Sequence, residues 1–350
     1  MKIIHTADIH LGSKINSFPK DVSTVRKEEL RNSFRRMVDF AKQNGVQAVL
    51  ISGDLFDGVK PLVKDKDFFY SVVQNNPDID FLYLKGNHDL LSEGVEYPNL
   101  KTFSTNWSSY RYGNVVISGV EMVSENSTSI YSTLNLSDSD INIVMLHGEA
   151  TDTFGVQKVN LSKLRGKNID YLALGHYHSY LKNQLDDRGV YAYSGCLEGR
   201  GYDETGEKGF VLLDIKSSVS SEFIPFSQSN ISLVSVDVSN LKDAYSVYLN
   251  VKAVANFDKN GIYRVELHGE LDSSIDDLER DVKNYLSTSA LYIDVKDLTK
   301  KKIDVTRYEN DSSLKGEFVR LVYSSNLTDD EKAKIISYGL KSLSGVEVDI

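Results

Sequence analysis

At 350 residues the chain is long enough for one large core and a smaller second one, and its 41% hydrophobic and 26% charged content are those of a globular protein. The single cysteine, Cys196, excludes an intramolecular disulfide and fits a reducing compartment. The net charge of −10 is spread evenly, with 24 Lys/Arg against 29 Asp/Glu in residues 1–224 and 16 against 21 in residues 225–350, so neither part is a basic nucleic-acid-binding domain.

Lys2–Asp8 alternates and is β-branched, which makes it the first expected strand; polar, motif-bearing residues by position 10 leave no secretory leader. Residues 11–22 form a polar loop. Thr24–Asn44 has the period of an amphipathic helix, with Leu30, Phe34, Met37, Val38 and Ala41 on one face and Gly45 as its stop. Val46–Ser52 is nearly all apolar, as expected of a strand covered on both faces. Asp65–Asn75 is a second helix, followed by the strand Asp80–Lys85, and residues 91–113 carry no clear period. Val115–Val120, Ile141–Leu146, Tyr171–Leu174, Val190–Tyr193 and Phe210–Ile215 are further strands, with a polar linker over 151–168 and a Gly-rich loop from Gly195 to Gly209. This is the pattern of an α/β fold. The style breaks at Lys216–Ser221, and shorter alternations follow, which places a boundary near 222–230 and divides the chain into 1–224 and 225–350. In the second part Ser232–Val238, Ile262–Leu267 and Leu291–Val295 read as strands, and Leu241–Val254 and Ser274–Leu286 as helices. Thr328-Asp-Asp-Glu331 is a capping box that opens a helix to about Leu343. No apolar run approaches the ~20 residues of a membrane helix, and the expected location is cytoplasmic.

Five strand ends carry residues that bind metals. The first supplies Asp8 and His10, the second Asp54, the third Asn87, the fourth His147 and the fifth His176 and His178. In open α/β sheets the carboxyl ends of strands are where ligands bind. Residues two apart share one side of a strand, so strand alternation is expected to aim Asp8 and His10 together and to turn Tyr177 away from His176 and His178. Seven ligands are too many for one transition metal and suit two ions sharing a carboxylate, the arrangement that clamps attacking and leaving oxygens in phosphoryl chemistry. No cysteine is among them, which removes soft thiolate sites; imidazole and oxygen ligands admit manganese, iron or zinc. Two divalent ions against Asp8 and Asp54 leave the pocket near +2, so a phosphodiester is attracted locally despite the acidic chain. Asn87 offers a neutral oxygen, and the adjacent His88 cannot easily reach the same ion, which leaves it free to hold or protonate a substrate oxygen. His5 lies on the opposite strand face from Asp8 and is expected to pack.

Asp-x-His (8–10), Gly-Asp-x-x-Asp (53–57), Gly-Asn-His-Asp (86–89), His147-Gly and Gly-His-x-His (175–178), in that order, resemble the calcineurin-like metallophosphoesterases. The opening His-Thr-Ala-Asp-Ile-His-Leu-Gly (5–12), Gly-Asp-Leu-Phe-Asp (53–57) and the loop Tyr193-Ser-Gly-Cys to Glu-Lys-Gly-Phe210 are more specifically similar to the SbcD-type DNA-repair nuclease subunit. The resemblance is clear over residues 1–215 and weaker beyond. It implies one ion on Asp8, His10 and His178 and a second on Asn87, His147 and His176, with Asp54 bridging and two Mn2+ as the cofactor. It also implies a four-layer αββα sandwich of two mixed sheets, a smaller α+β cap domain after the core, and a homodimer working on DNA with an SbcC-type coiled-coil ATPase. SbcD-type proteins often continue into a helical tail that grips the ATPase; with no separate tail after the capped helix, the cap is a candidate for that job.

The expected reaction is in-line hydrolysis of a DNA phosphodiester by exonuclease or endonuclease action. His88 holds or protonates the leaving oxygen, and Asp89 fixes its ring. Arg200, in the Gly-rich loop, either reaches a DNA phosphate or is a solvated loop arginine. Cys196 has no partner that would make it a nucleophile, and the cationic side of the first helix reads as a solvated face. The alternative function is a small-molecule or nucleotide phosphodiesterase on the same core.

Overall fold

In the computed structural model the apolar runs become strands in register with the expected helices. The order begins β1 (Lys2–Thr6), α1 (Lys20–Gln43), β2 (Val46–Ser52), α2 (Val63–Gln74), β3 (Asp80–Leu84), β4 (Leu100–Thr102), β5 (Ser108–Tyr112) and β6 (Val115–Gly119). It continues α3 (Ile130–Thr133), β7 (Ile141–His147), β8 (Glu149–Thr151), β9 (Lys158–Asn160), α4 (Leu161–Leu164) and β10 (Tyr171–Gly175). Then come β11 (Leu181–Gln184), β12 (Val190–Tyr193), β13 (Gly209–Ile215), β14 (Val219–Pro225) and β15 (Ile231–Asp237). Residues 1–58, 61–87, 89, 97–272, 277–302 and 305–343 are described. They divide into two units, Met1–Ile231 and Ser232–Ile350.

The first unit is built on two six-stranded mixed sheets, ordered β14-β13-β1-β2-β3-β4 and β11-β12-β10-β7-β6-β5. Strands β1 to β4 run parallel in one, and β6, β7, β10 and β12 in the other. Each sheet is finished by antiparallel strands at an edge. Alternation along β2 explains the layering. Val49 and Ile51 face outward and pack with Phe34, Met37, Phe69 and Val73 of α1 and α2. Ala48 and Leu50 face inward and meet Ile143, Met145, Tyr171 and Ala173 of the second sheet. The outer face of that sheet, with Val144, Leu146, Leu172 and Leu174, is covered by Ile130 and Leu164 of the short helices α3 and α4. The result is the αββα sandwich. Each fully buried Leu, Ile or Phe contributes roughly 1.5–3 kcal/mol, so these three layers of contact dominate its stability.

The differences from the sequence-based elements have simple causes. Helix α1 starts at Lys20, directly after Pro19, whose fixed φ suits a helix entrance. Strands β5, β11 and β14 were not anticipated; their exposed or alternately exposed residues carry no apolar run, as expected of strands at or near a sheet edge. Strand β14 also absorbs part of the stretch that looked like a break in style, closing a hairpin with β13. His5 does pack: its Nδ1 lies 2.9 Å from the Tyr171 hydroxyl and its Nε2 3.2 Å from the Leu174 carbonyl, joining the two sheets.

The second unit continues from β15 with α5 (Ala244–Val254), β16 (Ile262–His268), β17 (Glu270–Asp272), α6 (Leu278–Leu286), β18 (Tyr292–Asp297), β19 (Lys300–Lys302), α7 (Leu314–Tyr323) and α8 (Asp329–Leu343). A three-stranded sheet, β15-β16-β18, shares a core with α5 and α6 through Val251, Val265, Leu267, Val282 and Val295. A separate small core, Val319, Val322 and Ile336, joins α7, which was not anticipated, to α8. The capping box at α8 forms, with the Thr328 N–H donating to Glu331 Oε2 at 2.9 Å and the Glu331 N–H to Thr328 Oγ1 at 3.4 Å. No helix of the described residues is long and apolar enough to cross a membrane.

Candidate metal centre

The carboxyl ends of β1, β2 and β3 in one sheet and of β7 and β10 in the other meet at one place. The loops after β1 and β2 run side by side: the Asp8 N–H donates to the Gly53 carbonyl at 3.0 Å, and the His10 N–H to the Asp54 carbonyl at 3.0 Å. The Asp8 carboxylate then receives the backbone N–H of His176 at 2.9 and 3.0 Å, which ties the end of β10 to the end of β1. Alternation along a strand does not set these directions. Strand β1 has ended at Thr6, and Asp8, His10 and Asp54 hold φ near +50° while His176 holds +104°. Turns in the left-handed region, tolerated best by Asp and Gly, aim the side chains. That corrects the pleat argument for Asp8 with His10 and for His176 with His178.

The ligand atoms gather in two overlapping groups, Asp8–His10–His178 and Asp8–Asp54–His147, each with its atoms within 4.8 Å of one another. Asp54 Oδ2 stands 3.9 Å from His10 Nε2 and 3.5 Å from His147 Nε2, between the two groups. His147 Nδ1 lies 2.9 Å from the Ser52 carbonyl, which can only accept, so Nδ1 carries the proton. In the neutral ring Nε2 therefore presents a lone pair, and it faces the Asn87 side-chain oxygen at 2.9 Å. His178 Nδ1 likewise donates to Glu204 Oε1 at 2.7 Å, and its Nε2 faces His10 Nε2 at 3.3 Å. Where Nδ1 keeps the only proton of a ring, a cation between the facing atoms would take up the Nε2 lone pair. Two nitrogens on one ion, each at ~2.1 Å and about 100° apart, would be ~3.2 Å from each other, which is the His10–His178 spacing. The residues present fit a pair of ions. His176 stands beside His147 with ring centroids 5.4 Å apart.

The electrostatics say the same. Burial pushes the Asp8 carboxyl up to about 6, with the neighbouring Asp54 adding to the shift and His147 and His178 opposing it. Burial works against protonation of His147, yet Asp54 and Asp8 carry it up to about 9. Burial draws His10 down to about 4, and His176 is lowered for the same reason, with the His147 charge adding to it. Buried carboxylates that recruit protons onto themselves and onto a histidine mark a pocket short of positive charge.

The model of the calcineurin-like phosphoesterase family matches residues 1–180. The chain belongs to that family. It is 27% identical to the uncharacterized metallophosphoesterase YhaO of Bacillus subtilis (strain 168) over 72% of this chain and 67% of that protein. It is 23% identical to the DNA double-strand break repair protein Mre11 of Sulfolobus acidocaldarius over 99% of this chain and 100% of that one. The SbcD component of the SbcCD nuclease of Rhodobacter capsulatus is 31% identical over 25% of this chain and 22% of that one.

Asp89 and Arg200 make contacts that their motifs did not announce. Asp89, expected to fix the ring of His88, holds backbone with its buried carboxylate: Oδ2 accepts the Leu55 and Gly86 N–H groups, both at 3.1 Å, and Oδ1 the Phe56 N–H at 2.9 Å. It pins the loop that carries Asp54 to the one that carries Asn87. His88 itself lies outside the described residues. Arg200, offered either to DNA phosphate or to solvent, is not a solvated loop arginine: its side chain is 18% exposed and bonds to Glu204 through Nε and Nη2. Glu204, Asp57 and Lys208 were not singled out as site residues. Glu204 grips His178, and Lys208, almost fully buried, donates to the His178 carbonyl at 2.9 Å. Asp57 closes Gly-Asp-x-x-Asp, and Glu204 and Lys208 lie in the Gly-rich loop. Motif position was the only available signal, because their partners are remote in sequence.

Proposed function

We propose that this phosphoesterase is a metal-dependent DNA nuclease of the SbcD type, hydrolysing phosphodiesters in DNA repair. The observation that carries the reading is the convergence of Asp8, His10, Asp54, Asn87, His147 and His178 on one pocket, in a chain that aligns along its whole length with an Mre11 protein. Two divalent ions there, Mn2+ in this reading, would lower the pKa of bound water to near 7 and take up charge on the phosphoryl oxygens. Asp8, His10 and His178 would hold one, Asn87, His147 and His176 the other, with Asp54 shared. The chain's own work is orientation: the Ser52 carbonyl and the Glu204 carboxylate fix two ring tautomers so that Nε2 faces inward. His88 holds or protonates the leaving oxygen, help worth roughly 10²–10⁴-fold. DNA, a second copy of the chain and an SbcC-type coiled-coil ATPase are the partners of this reading.

The small-molecule phosphodiesterase reading keeps one observation in its favour. A cleft of about 630 Å3, lined by Gly12, Lys14, Asp57, Arg200 and Glu204, adjoins the site and matches a nucleotide-sized ligand. Manganese-dependent hydrolysis measured side by side on duplex DNA ends, single-stranded DNA and bis-p-nitrophenyl phosphate separates the readings. Cleavage of duplex ends that is lost in His88→Ala with both ions retained is the expected result. Turnover of the small ester without any DNA cleavage, with and without an SbcC-type partner, would overturn it.

A further inference from the structure

The two ion positions differ in what stands behind their histidines. At the Asp8–His10–His178 position both imidazoles are backed by carboxylates: Glu204 Oε1 is 2.7 Å from His178 Nδ1, and Asp57 Oδ1 is 3.7 Å from His10 Nδ1, an electrostatic contact rather than a hydrogen bond. One guanidinium lies between those carboxylates. Arg200 Nη2 donates to Glu204 at 2.7 Å, its backbone N–H to the same carboxylate at 2.8 Å, and its Nη1 stands 3.9 Å from Asp57. The backbone of His178 is held as well, by Lys208 and by the Cys196 thiol, whose Sγ lies 3.4 Å from the His178 carbonyl. At the other position His147 leans on a neutral carbonyl and its neighbour Asn87 is a neutral amide.

We propose that Arg200 is a positioning residue that braces Glu204 and Asp57 behind His178 and His10, and that this brace makes the Asp8–His10–His178 position the tighter of the two. A carboxylate on the far nitrogen fixes the ring and makes the near nitrogen a stronger donor, and losing such a partner typically costs about 10–100-fold in metal affinity. The fork of Arg200 suits this because it keeps two anions apart and ordered without supplying a ligand itself. The inference rests on the two-ion part of the proposed function and is independent of DNA as substrate.

The test is a titration of the metal-free full-length chain with Mn2+ alone, followed by the electron paramagnetic resonance of the free ion. Parent protein should show a tight and a weak class of site. Glu204→Gln, Asp57→Asn and Arg200→Ala should weaken the tight class, by about 10–100-fold for Glu204→Gln, and leave the weak class in place; Asn87→Ala should remove the weak class alone. Circular dichroism of each metal-free variant checks the fold, and if Glu204→Gln does not fold, Asp57→Asn decides. Unchanged affinities in Glu204→Gln and Asp57→Asn, or loss of the weak class instead, would overturn the proposal. So would an Arg200→Ala protein that binds both ions normally but is no longer retained with DNA on a filter, since Arg200 would then be a substrate contact. A parent that shows the split in affinity yet cuts no DNA would sink the nuclease reading and leave this one standing.

Discussion

Asp89 separates two accounts of the same motif, and its replacement can be worked out from the contacts. Its carboxylate takes three backbone N–H groups, from Leu55, Phe56 and Gly86, and Leu55 and Phe56 are fully buried. Hydrogen bonds to a charged acceptor contribute roughly 1.5–3 kcal/mol each, and an orphaned buried donor costs about 1–3 kcal/mol. Against this stands the cost of burying the charge, which raises the Asp89 carboxyl above its usual range. Asp89→Ala should therefore lose about 3–5 kcal/mol, a large share of the roughly 5–15 kcal/mol that holds a domain together. Asp89→Asn should lose less, about 2–3 kcal/mol, because an amide oxygen still accepts while its NH2 group is forced against an N–H donor. Urea unfolding of the metal-free protein, read by tryptophan fluorescence and circular dichroism, measures both. An Asp89→Asn protein within 1 kcal/mol of the parent that has nevertheless lost turnover would refute the reasoning and return the residue to steering His88.

Gly53 has φ +94°, and a Cβ there would stand 2.1 Å from His147 Nδ1, so Gly53→Ala should displace the ring and break its bond to Ser52. The expected result is loss of metal at His147 and at least a 10²-fold fall in activity, against about 1 kcal/mol of destabilisation and full activity for Gly45→Ala, where φ is +66° but nothing lies within 4 Å; metal analysis beside kinetics checks the pair. His5 is drawn down to about 3 by burial, with the Leu174 carbonyl partly opposing. The unfolded chain, with an ordinary pKa near 6.5, then binds more protons below that pH, so the stability His5 contributes is complete above about 6.5 and is lost as pH falls toward 3, at up to ~1.4 kcal/mol per pH unit. Between pH 7 and 5 the metal-free parent should lose about 2 kcal/mol more than His5→Asn in urea titrations; equal losses would show that His5 is not held neutral in the fold.

What could be read from the chain follows from what its physics is local to. The central strands β2, β7 and β10 were legible because a strand covered on both faces must be apolar throughout, and α1 because its buried face repeats every turn. The ligand types were legible because each closes such a strand. The edge strands were not, since an exposed Leu-Lys-Asn-Gln in β11 differs little from a loop. Nor was the work of Asp89 and Arg200: each chooses among partners that only the folded backbone brings near, and Arg200 finds its anion four residues away in a loop with no period to announce it. The Asp8–His10 spacing led to the right pair by the wrong route, through pleat rather than turn.

That route matters for how the site works. Non-glycine residues in the left-handed region each cost of order 1–3 kcal/mol, and Asp8, His10, Asp54 and His176 all sit at positive φ. Glycines would relieve that cost but carry no ligand, so the strain is borne where chemistry demands a carboxylate or an imidazole. The fold can bear it because the same loops are over-determined: Asp8 is fastened to Gly53 and His176, His10 to Asp54, and the Asp54 loop to Asp89. Loosening any one fastening gives the others less to hold, and the backbone can relax toward ordinary φ with its ligands turned out of the pocket. A pocket assembled this way has its side chains aimed by the fold, so a cation bound there would cost little in ordering them. Two ions held there would keep the fixed separation that in-line attack on phosphorus requires.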